Sequence, residues 1–325
     1  MKNFQYINPT SIKEASNLMI SFGESALLYA GGTDALSLLK NDVYTHSKVI
    51  NLKKIGGLNS ITHNKTSGIR IGSLTTISEI AKDETIKSEY KILHEAANEI
   101  ASPQLRNIGT LGGNLCQRPR CWYYREDFDC IRKGGGECYA YEGRNKFHCV
   151  VGGGPCYIVH PSDMAVALLA LDAKVIIFSE VGERTIPINE LYVLPSENSS
   201  QETILKPGEI IKEILVAPPG QNTRSSYIKF KERGAWDFAS VSVGLVLEID
   251  AAKSIIEGKA AFGGVAPRPW TDDKFNKKLS GLALNETSVS EALHSLLNDS
   301  ETLSENAYKL PLVKNLTKRS ILNLA

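Results

Sequence analysis

The stretch Gln104-Leu105-Arg106-Asn107-Ile108-Gly109-Thr110-Leu111-Gly112-Gly113-Asn114 is rich in glycine and has little apolar periodicity. Its glycines allow a backbone to approach a ligand closely, and Thr110 and Asn114 add polar side chains. Upstream lies a second loop of the same kind. Ala26-Leu27-Leu28-Tyr29-Ala30 reads as a short buried strand that runs into Gly31-Gly32-Thr33-Asp34, and Ala35 to Lys40 read as a helix. Amides of such a strand–loop–helix turn converge on an anion, as a pyrophosphate requires. Neither loop is the GxGxxG of a dinucleotide fold or a Walker P-loop, and either alone could be a plain tight turn. Together they favour a long ligand with a pyrophosphate and a flavin or nicotinamide ring, without choosing between FAD and NAD.

Outward from these loops, Thr10 or Ser11 can cap a helix with Ile12, Ala15, Leu18 and Met19 on one face. Lys48–Leu52 reads as a strand, Ile61 and Ile69–Ile71 as a hairpin, Ile77–Ala81 and Tyr90–Ile100 as helices. Asp163–Leu171 is helical in pattern and Lys174–Phe178 strand-like. Ala217-Pro218-Pro219-Gly220 breaks the pattern and places the main boundary at 220. Beyond it, Tyr227–Lys231, Val241–Ile249 and Ser254–Phe262 suggest an antiparallel sheet, and Ser288–Leu297 and Asn306–Leu322 suggest helices.

All six cysteines, at 116, 121, 130, 138, 149 and 156, fall in the single segment 116–156. Such clustering in a reducing compartment indicates metal or redox chemistry rather than disulfides. The spacing Cys121-x8-Cys130-x7-Cys138-x17-Cys156 contains no CxxC pair, unlike zinc ribbons and bacterial-type ferredoxins. Spacing alone therefore leaves zinc, an iron–sulfur cluster and buried free thiols open. The segment is also basic, through Arg118, Arg120, Arg125, Arg132, Lys133, Arg144 and Lys146, which suits an anionic cluster, an acidic partner or a solvated loop. His148 and His160 flank it.

The chain has 325 residues, enough for two domains, and 37 Lys plus Arg against 36 Asp plus Glu give a net charge of +1. That balance gives no electrostatic reason to expect nucleic acid or an anionic membrane. No apolar run is long enough for a membrane span, and the first residues lack the apolar core of a secretory signal, so a cytoplasmic location is expected, or a periplasmic one by export with a partner.

Three motifs, Ala30-Gly31-Gly32-Thr33-Asp34, Gln104 to Asn114 and His160-Pro161-Ser162-Asp163, together resemble the FAD-binding medium subunit of the xanthine dehydrogenase family of molybdenum hydroxylases. The similarity extends over nearly the whole chain. It implies an α+β fold. Residues 1–220 would form a two-subdomain PCMH-type FAD-binding domain, followed at 221–325 by a smaller α+β domain with an antiparallel sheet and helices. The insert at about 116–157, with Cys116-Gln117-Arg118-Pro119-Arg120-Cys121 at its start, resembles the branch with an extra [4Fe–4S] cluster, which includes aldehyde oxidoreductase and 4-hydroxybenzoyl-CoA reductase flavoproteins. The aldehyde oxidoreductase pattern implies Cys121, Cys130, Cys138 and Cys156 as cluster ligands. The reductase pattern exchanges Cys130 for a ligand near Cys149, and Cys130 is the preferred choice. Cys116 is expected to be a packed or flavin-proximal thiol.

By motif, the resemblance also implies FAD contacts from Leu28, Tyr29, Ala30, Gly31, Gly32, Thr33, Asp34, Ala35 and Leu36 in the first loop, and from Thr110, Gly113 and Asn114 in the second. Asp163 resembles the acid on the adenosine side of FAD, although as a residue it suits a helix N-cap. Lys229 resembles the lysine near the pyrimidine end of the isoalloxazine. The implied partners are a molybdopterin-binding large subunit, a [2Fe–2S] small subunit and an external electron acceptor. Two rivals use a zinc-stapled loop instead: a self-contained FAD oxidase and a non-enzymatic scaffold.

Overall fold

The computed structural model describes residues 1–325. Three sheets organise it. The first contains β1 (Gln5–Ile7), β2 (Ala26–Tyr29) and β3 (Lys48–Asn51), all parallel, in the order β1-β3-β2. The helix Ile12–Phe22 connects β1 to β2, and Ser11 caps it by accepting from the Glu14 amide. Gly31–Asp34 therefore emerges at the carboxyl end of a parallel strand, where ligands of such sheets bind.

The second sheet contains β4 (Ile61–Asn64), β5 (Gly68–Gly72), β6 (Lys174–Ser179), β7 (Gly182–Pro187) and β8 (Ile210–Val216). It is antiparallel throughout, in the order β4-β5-β8-β6-β7. The third contains β9 (Thr223–Phe230), β10 (Val241–Ile249) and β11 (Ile255–Gly263), also antiparallel. Alternation along β10 decides its packing. Val241, Val243, Leu245, Leu247 and Ile249 enter one core with Phe275, Val289, Val313 and Ile321, from the helices Asp273–Leu279, Glu286–Leu293 and Lys309–Asn323.

The opposite face of the third sheet carries small residues at Gly244 and Gly263. A Cβ on Gly244 would lie 3.3 Å from the Val166 carbonyl, and one on Gly263 would lie 2.8 Å from Val166 Cγ2. The helix Asp163–Ala170 settles against this flat surface, and all eight of its residues are buried. Tyr227 and Ala261 of this sheet share a core with Ile92, Met164 and the second sheet. The C-terminal sheet thus forms one wall of the central core. No helix is long and apolar enough to cross a membrane.

Candidate functional site

The two glycine loops meet. A Cβ on Gly31 would stand 2.2 Å from the Ile108 carbonyl oxygen, so only glycine permits this approach of two backbones. Ile77 donates its amide to the Gly109 carbonyl and Leu111 donates to Thr75, which fixes the second loop against the first turn of the helix Ile77–Lys82. Thr110 caps a short helix, Leu111–Leu115, by accepting from the Gly113 amide at 3.3 Å. The sequence predicts a loop here, because glycine at Gly112 and Gly113 erases the apolar pattern, and the structure has a helix.

Between the loops lies a cavity of about 600 Å³. Of the expected contacts, Leu28, Ala30, Gly31, Gly32, Thr33, Asp34, Ala35, Thr110, Gly113, Asn114, Asp163 and Lys229 all line it. Tyr29 and Leu36 do not line it. Strand alternation turns Tyr29 away from Leu28 and Ala30, and its ring meets Tyr6 edge-on with centroids 6.0 Å apart. The amides of Gly31, Gly32, Thr33 and Asp34 donate to no backbone carbonyl. A Cβ on Gly113 would meet only Thr110 Oγ1. Four consecutive free donors and an open glycine wall fit the pyrophosphate of FAD.

The cavity wall also holds a buried ion pair. Lys229 Nζ donates to Asp163 Oδ2 at 2.8 Å and to the Glu99 carbonyl at 3.1 Å, while Tyr227 Oη donates to Asp163 Oδ1 at 2.5 Å. Burial, followed by the Asp163 charge, pushes the Tyr227 phenol well above its ordinary range. The pairing joins two side chains that the resemblance assigns to different parts of FAD, and both line the cavity. Asp163 is not the N-cap. Ser162 caps the helix, accepting from the Ala165 amide and donating to Asn114 Oδ1 at 2.6 Å, which ties this helix to the second glycine loop.

Asp34 does more than line the loop. It accepts from the Arg118 amide at 2.8 Å, from Arg120 Nη1 at 2.6 Å and from Arg125 Nη2 at 2.7 Å, all three belonging to the cysteine insert. A second anchor is Glu202, buried between Arg118 and Arg132. Arg132 Nη1 in turn reaches Cys156 Sγ at 3.9 Å. The third anchor is C-terminal. Lys309 Nζ, fully buried, donates to the carbonyls of Phe147 and His148 at 2.9 Å each, and Asn306 donates to the Cys149 carbonyl at 2.9 Å. Much of the basic character of the insert is therefore consumed in seating it, which the sequence could not assign.

Within the insert the thiols are neighbours. Cys138 and Cys156 act on each other, which pulls the Cys138 thiol down and pushes the Cys156 thiol up. Cys121 is pushed up to about 12 by burial, with smaller contributions from Cys138 and Cys130. Cys130 packs with Leu38 and Tyr124, and Cys149 lies buried against Gly153. His148 Nε2 lies 3.3 Å from Cys121 Sγ, while its Nδ1 is buried without a partner. No group of three or more His, Cys, Asp or Glu side chains is arranged around a single metal ion. Soft thiols beside cationic and N–H groups are the donor type that an iron–sulfur cluster takes. Cys116 stands apart in the cavity wall, its thiol pushed up to about 12 by burial.

Other cavity-lining residues are not predicted from the sequence: Gln117, Arg118 and Arg120, and Trp236-Asp237-Phe238 between β9 and β10. Two exposed aromatics in a polar loop just beyond Lys229 were the available signal.

Comparison with known proteins agrees with this geometry. Residues 2–218 match the family described as FAD binding domain in molybdopterin dehydrogenase, and residues 225–324 match the CO dehydrogenase flavoprotein C-terminal domain. The aldehyde oxidoreductase FAD-binding subunit PaoB of Escherichia coli (strain K12) is 34% identical over 97% of this chain and 96% of its own. The xanthine dehydrogenase FAD-binding subunit of Escherichia coli O157:H7 is 26% identical over 97% of this chain and 94% of its own. The fold also matches a carbon monoxide dehydrogenase chain from Hydrogenophaga pseudoflava, with a TM-score of 0.79 at 23% identity, covering 100% of this chain and 97% of that one. With a cavity suited to FAD between two matched glycine loops, the chain belongs to the FAD-binding subunit family of the molybdopterin-dependent dehydrogenases and oxidoreductases.

Proposed function

We propose that the chain is the flavin-bearing medium subunit of a molybdenum hydroxylase complex. It stands between the [2Fe–2S] clusters of a small subunit and an external electron acceptor, with substrate oxidised on a molybdopterin-binding large subunit. The names of the relatives, FAD-binding subunits and medium chains, support a place in such an assembly. We further propose that the insert holds a [4Fe–4S] cluster through Cys121, Cys130, Cys138 and Cys156. One observation carries this reading: the segment that gathers the thiols is fastened by Asp34 to the wall of the flavin cavity.

Bound FAD supplies a centre that takes two electrons and releases them singly or as hydride. The work of the chain is to hold and insulate. The free amides of Gly31 to Asp34 bind the anionic part of the cofactor. Lys229 and Tyr227 keep the Asp163 carboxylate fully hydrogen-bonded inside the wall, so the buried charge is compensated and the cavity keeps its shape. Arg132 and His148 place N–H groups beside Cys156 and Cys121, where negative charge would collect on ligating sulfur.

Anaerobic purification followed by analysis for flavin, iron, acid-labile sulfide and zinc tests the reading. Flavin together with iron and sulfide supports it. Zinc without iron removes the cluster, and loss of flavin under gentle conditions removes the flavin role.

A further inference from the structure

Arg120 belongs to the cysteine insert, yet it lines the flavin cavity. Its guanidinium is fixed on three sides. Nη1 donates to Asp34 Oδ1 at 2.6 Å, Nη2 donates to Gln117 Oε1 at 3.1 Å, and the group lies over the Phe238 ring, 4.7 Å from its centroid. Asp34 also accepts from Arg125 Nη2 at 2.7 Å. Two guanidinium groups thus share one carboxylate, and this cluster carries a surplus of one positive charge. Arg125 is outside the cavity lining, whereas Arg120 is within it. The surplus sits beside the free amides of Gly31 to Asp34. A half-compensated, desolvated charge is costly, and an anion entering the cavity relieves that cost. In FAD the pyrophosphate is the anionic part.

We propose that Arg120 is a ligand for the FAD pyrophosphate, supplied by the cysteine insert, so that seating of the insert and binding of the flavin are one coupled equilibrium. The inference rests on the flavin reading above and adds a dependence of each module on the other. By linkage the effect is reciprocal: FAD holds the insert down as strongly as the seated insert holds FAD.

The test is FAD titration of the flavin-stripped full-length chain across a salt series, by fluorescence quenching, for wild type, R120M, R120Q and R125M. R120M should raise the FAD Kd about 10- to 100-fold, the loss expected for one charge-assisted hydrogen bond. It should also flatten the dependence of log Kd on log salt. R125M removes a neighbour on the same carboxylate, outside the cavity, and should raise the FAD Kd less than R120M does. FAD should slow proteolysis of the insert in wild type, and this protection should weaken in R120M. R120Q, which keeps a donor for Asp34 without the charge, carries the test if R120M misfolds. Wild-type binding with an R120M or R120Q Kd and salt slope equal to wild type overturns the inference and leaves the flavin reading standing. A wild-type chain that fails to bind FAD overturns both.

Discussion

Lys229 Nζ stands 2.8 Å from Asp163 Oδ2 inside the cavity wall, and their side chains are 1% and 6% exposed. Removing one partner of such a pair leaves an uncompensated charge, at a cost of about 3–5 kcal/mol. K229M should therefore destabilise the chain by that amount in urea unfolding and weaken FAD binding. The K229M/D163N double variant should recover part of the loss, because no charge is left behind. A K229M chain within about 0.5 kcal/mol of wild type, the range of ordinary surface substitutions, contradicts the pairing.

Gly31 is the second point of sensitivity. An alanine there drives its Cβ to 2.2 Å from the Ile108 carbonyl, and both sides of the clash are backbone. G31A should separate the two loops, lose FAD affinity by at least tenfold in the same titration, and lower stability by about 1–3 kcal/mol, as overpacking does. G113A, whose Cβ meets only Thr110 Oγ1 at 3.0 Å, should fold normally and crowd the ligand alone.

His148 addresses the cysteine insert. Its bare Nδ1 and the 3.3 Å approach of Nε2 to Cys121 Sγ favour the tautomer with the proton on Nε2, donating to sulfur. Hydrogen bonds to cluster sulfur raise a reduction potential. H148L should lower the midpoint of the iron signal in a redox titration with iron content retained, and H148Q should fall between. An unchanged midpoint in H148L shows that the N–H does not bear on the cluster.

Acid sensitivity should trace partly to His160, fully desolvated and pulled down to about 3 by burial. Its folded pKa lies below the unfolded value, so the unfolded chain binds the proton first. The resulting stability is complete above about pH 6.5 and is lost as pH falls toward 3, at up to ~1.4 kcal/mol per pH unit. H160N should flatten this limb of a stability–pH profile; an identical limb in wild type and H160N contradicts it.

Elements with clean periodicity were legible in the sequence. Val241–Ile249 alternates along its whole length and is a strand with those bounds, and the apolar run after Asp163 is a buried helix. Other elements depend on their neighbours. The strand Ile210–Val216 has Lys212 and Glu213 in its middle, and it exists because β5 and β6 flank it on both sides. Leu111–Leu115 is helical because Thr110 caps it and Ser73 accepts the Gly112 amide. At the site, the glycine motifs announced an anion cradle, but side-chain destinations were hidden. Asp34 turns to the insert arginines, and Lys229 turns to Asp163, across long sequence separations that no local pattern encodes.

Electron paramagnetic resonance of the dithionite-reduced chain, with C130S and C149S beside wild type, tests most directly whether the cysteine insert holds a cluster. The expected result is a [4Fe–4S] signal in wild type that survives C149S and is lost or transformed in C130S. A chain without an iron signal, or a signal that survives C130S and disappears in C149S, contradicts it.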